Sequence, residues 1–352
     1  MISKEELLAL HADLIRINSV SHYETEIADF VFNLLTQNGI TPTRIGNNII
    51  AQTSDKPKLL LNSHLDTVPP NDGWTRKPWN PTQIGDQIFG LGSNDTKGCV
   101  AAMLTTFVNN KNTPGLALLL SPEEETGGQG TEHAWPILRD EHNWNPEAII
   151  VGEPTELQIG TVQRGLLLLD LVAKGTASHA ANADPSGKTN PIFTLARDLA
   201  KLQNIKLTPH PLLGEPTIQP TTLQGAEARN QVPAEARASL DIRTVPNQTH
   251  EEIIDLLTDT LESNIEIRSK RLAPFACDPN ARIIQTIQSL LPIAKPFASK
   301  TMSDQVHFAG FNAIKFGPGV SARSHTADEF ILASEVIAGA NAYDQIIKEF
   351  LS

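Results

Sequence analysis

Five short stretches of the chain concentrate residue types that hold cations or move protons. They are Asn62-Ser63-His64-Leu65-Asp66, Gly90-Leu91-Gly92-Ser93-Asn94-Asp95-Thr96-Lys97-Gly98, Ser121-Pro122-Glu123-Glu124-Glu125-Thr126-Gly127-Gly128, Gly152-Glu153-Pro154-Thr155 and Ser324-His325-Thr326-Ala327-Asp328-Glu329. If the strand before His64 persists, His64 and Asp66 face the same side. A neutral imidazole is a metal ligand, and a carboxylate two residues on can hold its other ring nitrogen. The same pair also reads as a strand end followed by a turn acid. The glycine-rich stretch is no phosphate loop, because no Ser or Thr follows a Gly-Lys pair and Asp95 stands where a third glycine would be. A carboxylate there repels phosphate and suits a cation. Ser121 with Glu124 matches a capping box, with Pro122 at the first helical position, so the third stretch also predicts a helix start. Glu153 reads equally as a turn acid, and His325 as a surface-loop histidine.

The elements that must position these residues are legible from periodicity. Apolar runs at 58–61, 116–120, 148–151 and 313–316 predict buried strands, and most of the candidate stretches follow directly on one of them. Leu7, Leu10, Leu14 and Ile17 recur at helical spacing. So do Ile27, Val31, Leu34 and Leu35, with Gly39 as a stop. Further helices are expected over 99–109, 281–291 and 334–350. Strands alternating with helices imply an α/β layer with a mixed, largely parallel sheet. In open sheets of this kind, sites form outside the carboxyl ends of the strands. The middle of the chain has its own rhythm: strand 165–174, helix 190–201, strands 217–223 and 235–243, helix 249–262 and strand 265–268. That βαββαβ order is ferredoxin-like and complete in itself. The expected division is therefore a metal-binding catalytic domain of residues 1–163 and 273–352, interrupted by a lid and dimerisation domain of residues 164–272.

Composition narrows the function. The 352 residues carry 28 Lys+Arg against 40 Asp+Glu, a formal net charge of -12, which disfavours non-specific binding to nucleic acid or anionic membrane. Only Cys99 and Cys277 are present, which excludes a disulfide scaffold or a thiolate zinc cage and fits a reducing compartment. No apolar run is long enough to span a bilayer. Lys4, Glu5 and Glu6 interrupt any leader-like apolar segment, so the expected location is the cytoplasm. Imidazole and carboxylate without thiolate point to a catalytic divalent metal. A two-metal centre balances, since Asp95, Glu125, Glu153 and one hydroxide match the charge of two dications.

Taken together, SHLDTVP (63–69), GLGSNDTKG (90–98), PEEETGG (122–128), VGEPT (151–155), GTASHA (175–180), ARNQVPAEARASLDIR (228–243) and SHTADEF (324–330) resemble the M20 family of metallopeptidases and deacylases. That family includes acetylornithine deacetylase, succinyl-diaminopimelate desuccinylase, aminoacylase and glutamate carboxypeptidases. The resemblance implies an α/β metal domain with a ferredoxin-like lid. It implies His64 and Glu153 on one divalent ion, Glu125 and His325 on another, and Asp95 bridging the two. Zn²⁺ is the default, with Co²⁺ or Mn²⁺ as substitutes. It implies Asp66 as the acid that orients His64, Glu124 as general base and His179 as stabiliser of the oxyanion. Asn230, Arg243, Gly317 and Gly319 are implied to bind the substrate. Leu91 departs from the Arg of many members. Glu123 to Glu125 replaces the commoner Asp-Glu-Glu, so a shift of one residue would exchange base and ligand. The implied reaction is hydrolysis of the amide bond of a small N-acyl amino acid by a homodimer paired through the lid. Thr301-Met302-Ser303-Asp304-Gln305 looks like the acetylornithine deacetylase branch of arginine biosynthesis. Deacylation of acetyl- or succinyl-citrulline, desuccinylation of succinyl-diaminopimelate, and aminoacylase or dipeptidase activity are alternatives, as is a metal-binding protein that has lost catalysis. Asp304 reads either as the partner of a cationic δ-amino group or as a helix N-cap.

Overall fold

In a computed structural model, residues 2–226 and 228–352 are described, and their contacts divide the chain into two compact units. The first runs to Thr161 and resumes over Cys277–Phe297 and Ser303–Ser352. The second comprises Val162–Ala276 and Ala298–Met302.

The first unit is a mixed α/β layer, as expected. The strands Leu116–Ser121, Leu59–His64, Ala148–Val151 and Ala313–Lys315 lie side by side in that order, and all three adjacent pairs run parallel. Nearly every residue on them is buried. This explains why they read as continuous apolar runs rather than alternating ones. Antiparallel strands Thr43–Ile45 and Asn48–Gln52 extend the sheet on one side. On the other, Lys315 pairs in antiparallel fashion with Gly160. The helix Lys97–Asn109 is buried almost all round. It packs against the strands Leu59–His64 and Leu116–Ser121 and against the helices Lys4–Arg16 and Ala333–Leu351. Its small residues Gly98, Ala101 and Ala102 permit that close approach. A short antiparallel sheet of Thr82–Ile84, Gln87–Phe89 and Phe330–Leu332 completes the unit.

The parallel register has one consequence that matters for chemistry. The carboxyl ends of the strands ending at His64, Ser121, Val151 and Lys315 open on the same edge of the sheet. The chain then delivers Asp66, Glu124 and Glu125, Glu153, and the loop to His325 from that edge.

The second unit has the split order read from the sequence. Its strands Gly165–Lys174, Thr217–Gln224, Glu235–Thr244 and Asn264–Leu272 form one antiparallel sheet in which Gly165–Lys174 and Glu235–Thr244 are central. Helices Pro191–Leu202 and His250–Thr260 supply Leu195, Leu202, Ile253 and Leu257 to a core with Leu167, Leu169, Leu171, Leu240 and Ile242. Alternate burial along Glu235–Thr244 is the period-two pattern of a sheet with one covered face. Asn190 and Thr249 cap the two helices through their side chains.

Candidate metal centre and active site

Asp95 presents one carboxylate oxygen to each of two histidines. Its Oδ1 lies 3.3 Å from Nε2 of His64, and its Oδ2 lies 3.7 Å from Nε2 of His325. The same His325 nitrogen is 2.9 Å from Oε1 of Glu125. Ligand atoms of His64, Asp95 and Glu125 all fall within 4.8 Å of one another. Residues up to 261 positions apart in the chain thus converge at the edge where the parallel strands end. This donor set of imidazole nitrogens and carboxylate oxygens fits divalent metal.

Each member is held by carboxylates that grip the main chain. Asp66 is fully buried and accepts from Ser21 Oγ at 2.7 Å, from the N–H of Glu124 at 3.0 Å and from the N–H of Glu125 at 3.2 Å. It also faces Nδ1 of His64, which lies 3.0 Å from its carbonyl oxygen and 3.4 Å from its carboxylate. Glu24, buried as well, accepts from the N–H groups of His22 and Glu123. The predicted helix start at Pro122 is therefore corrected. Residues 122–128 form a turn, and the helix begins at Gln129 after Gly128 in the left-handed region. Asp66 and Glu24 already take the N–H groups that a capping box would have taken. Glu329 does the same for the other loop, accepting from Gly92, Asn94 and Asp95 N–H at 3.0, 2.8 and 2.9 Å. It thereby ties the loop of Asp95 to the segment that follows His325. Below, buried His11 meets the carbonyl of Ser93 at 2.9 Å, and Lys97 donates to the carbonyl of Ile17 at 2.9 Å.

Electrostatics divide the acids into two kinds. Burial disfavours ionisation of Asp66 and Asp95, yet bonds with His64 and their other donors hold both below the usual carboxylate range. Glu124 is pushed well up by burial and by Glu153, Asp304 and Glu125 nearby. Glu153 rises to about 8, through burial and the charge of Asp95. For His64, burial acts against the charged form, but Asp66 and Asp95 outweigh it and the ring is raised well above 6.5. The bond to Glu125 lifts His325 to about 9 despite partial burial. The upward shifts of Glu124, Glu153, His64 and His325 mark a cluster short of positive charge, which dications would supply.

The other expected residues are divided between the two units. In the second unit, His179 and Asn230 line one shallow pocket with Ala177, Ser178 and Gln231, and both are exposed. Arg243 sits on the strand Glu235–Thr244, its fork engaged by Asp241 at 2.8 and 3.0 Å. Gly317 and Gly319 are fixed by packing. A Cβ on Gly317 would come within 2.6 Å of Cys99 Sγ, and Gly319, at φ 91°, would meet Asn94 Oδ1 at 2.5 Å. Asp304 is not a helix N-cap. Ser303 caps that turn, and Asp304 is buried with a bond from Thr131. Glu24 and Glu329 were not anticipated. Only the place of Glu329 beside His325 in one motif signalled it.

The model described as peptidase family M20/M25/M40 matches residues 60–349. The chain belongs to this family. A peptidase M20 domain-containing protein of Schizosaccharomyces pombe is 30% identical over 97% of this chain and 84% of its own length. A probable succinyl-diaminopimelate desuccinylase of Staphylococcus epidermidis is 25% identical over 100% and 99%. An acetylornithine deacetylase of Pectobacterium carotovorum is 26% identical over 86% and 83%. In fold, this M20 chain resembles aminopeptidase PepT of Bacillus cereus, with a TM-score of 0.79 at 18% identity over 100% of both chains. It also resembles the YxeP protein of Bacillus subtilis, titled a dinuclear metal binding peptidase, with a TM-score of 0.74 at 14% identity over 99% and 98%. This M20 protein is thus a metal-dependent hydrolase of amide bonds. Among the described residues, no helix is long and apolar enough to cross a membrane.

Two outcomes are expected from the supporting shell. Asp66→Ala leaves three donors without their acceptor and removes the carboxylate facing the His64 ring, so chemical denaturation should show a loss of roughly 3–5 kcal/mol. His11, held near pKa 4 by burial against an ordinary 6.5, is neutral in the fold. Its contribution to stability is complete above about pH 6.5 and falls away as the pH drops toward 4. An NMR titration of the His11 ring should show no protonation at pH 6.

Proposed function

We propose that this protein removes the acyl group from a small N-acyl amino acid, with N-acetylornithine as the first substrate to test. The observation that carries the reading is Asp95, whose two oxygens face two different histidines while the adjacent Glu124 and Glu125 are held in place by Asp66. In this reading His64 and Glu153 hold one divalent ion and Glu125 and His325 the other, with Asp95 shared between them. Zn²⁺ is the expected metal, and Co²⁺ or Mn²⁺ would serve. When bound, such ions lower the pKa of a shared water from about 15.7 toward 7 and polarise the amide carbonyl.

The chain's own residues do the rest. Glu124, pushed up by burial and its acidic neighbours, is poised to take a proton from the attacking water and pass it to the departing nitrogen. Asp66 fixes Glu124 through its backbone and keeps the His64 ring oriented, so base and ligand are set by one group. His179 is assigned to the developing oxyanion, and Asn230 and Arg243 to the substrate's carboxylate. Arg243 must exchange Asp241 for that carboxylate, a trade between like groups. The products are a free amino acid and a small carboxylic acid. The relatives include carboxypeptidases as well as a deacetylase and a desuccinylase, and the last two support an acyl amino acid.

The second unit also supports a homodimer. Thr217–Gln224 is an edge strand, and Ile192, Phe193 and Leu223 are exposed beside it. A cytoplasmic location accords with the two buried free cysteines.

A panel of acetylornithine, acetylcitrulline, succinylcitrulline, succinyl-diaminopimelate and acetylmethionine, assayed with defined metal, ranks the substrates. Acid release from acetylornithine above the others is the expected result, and turnover of none removes the deacylase reading. Glu124→Gln should retain metal by elemental analysis while kcat falls by roughly 10²–10⁴. Unchanged turnover would assign the base to another residue.

A further inference from the structure

Lys315 is a lysine with 2% exposure at the end of a central strand, and the chemistry described above does not use it. It pairs with Val151 in parallel register on one side and with Gly160 in antiparallel register on the other. Gly160 leaves room for it, since a Cβ at that position would lie 2.8 Å from Lys315 Cβ and 3.4 Å from its Cγ. Register puts Lys315 and Val151 on one face of the sheet, and Glu153 follows Val151 by two residues. Burial lowers the pKa of the ammonium, and Glu153, then Glu124 and Asp95, act to keep its charge. Glu125 and His325 are placed differently. The His325 side chain is 52% exposed, so solvent screens charge on that side.

We infer that Lys315 is a fixed positive charge that makes the two metal positions unequal, weakening the one built on His64 and Glu153 relative to the one built on Glu125 and His325. This rests on the two-metal reading above. Two effects produce the inequality. The ammonium repels an incoming dication across a poorly screened interior, and it competes for the charge of Glu153. Like charges at the open position interact through water and count for less. When metal is scarce, the Glu125–His325 position therefore fills first, and the second ion enters only at higher concentration. Lys315 acts through Glu153 and is a positioning residue, not one that touches substrate.

The test is titration of the chelator-stripped full chain with Co²⁺, followed by calorimetry and visible absorption, with far-UV circular dichroism as the check on folding. The wild type should bind in two separated steps. In Lys315→Met and Lys315→Gln the weaker step should tighten by about tenfold or more, while the stronger moves by less than about twofold. Lys315→Arg, which keeps the charge, should retain the wild-type separation. In a His325→Ala background the one remaining step should still respond to Lys315→Met, and in a His64→Ala background it should not. Folded neutral variants with the wild-type separation, or with both steps tightened alike, overturn the inference. So does failure of both neutral variants to fold, which would make the charge structural. If the wild type takes up no Co²⁺, or uptake survives both histidine replacements, the two-metal reading itself falls instead.

Discussion

A buried carboxylate needs either a cation or several hydrogen-bond donors, and this protein meets that need in two different ways. Asp66, Glu24 and Glu329 are satisfied by main-chain N–H groups. They are spent on structure: each fixes a loop that has no regular secondary structure to hold it. Asp95, Glu124, Glu125 and Glu153 project from those loops and nearby strand ends with few such donors. Their charge is left for something else to balance. The division between acids that hold the backbone and acids that lack such donors organises this edge of the sheet.

The sheet makes the division possible. Parallel strands end on one edge, so the segments after His64, Ser121, Val151 and Lys315 crowd together without any element having to bend toward the others. The turn at 122–128 shows how far the site overrides local preference. Ser121, Pro122 and Glu124 have the chemistry of a helix start, yet the helix waits until Gln129. Donors that would have needed a cap are taken by Asp66 and Glu24 instead. The acids are then free to face the histidines rather than the axis of a helix.

Much of this was legible in the chain. The four central strands, the ferredoxin-like order of the second unit and the amphipathic helices follow from apolar periodicity, because burial on one or two faces leaves a regular trace. The helix Gln129–Asp140 left a poorer one, with Gly130 in its first turn and Pro136 inside it. Short strands such as Thr82–Ile84 and Gln87–Phe89 are too brief and polar to stand out. Glu24 carries no sequence signal at all, since its role depends on a turn nearly a hundred residues away.

The sequence by itself determined the ingredients: which residue types stand after which strands, and hence a family and an imidazole–carboxylate chemistry. Periodicity and motif are local properties, and local properties survive in one dimension. Only the tertiary structure decided which acid grips a backbone and which faces a histidine, that Asp304 lies buried instead of capping a helix, and that Lys315 pairs with Val151, two residues before Glu153. Those outcomes depend on distance and dielectric between segments remote in the chain, quantities that exist only once the sheet has brought its strand ends together.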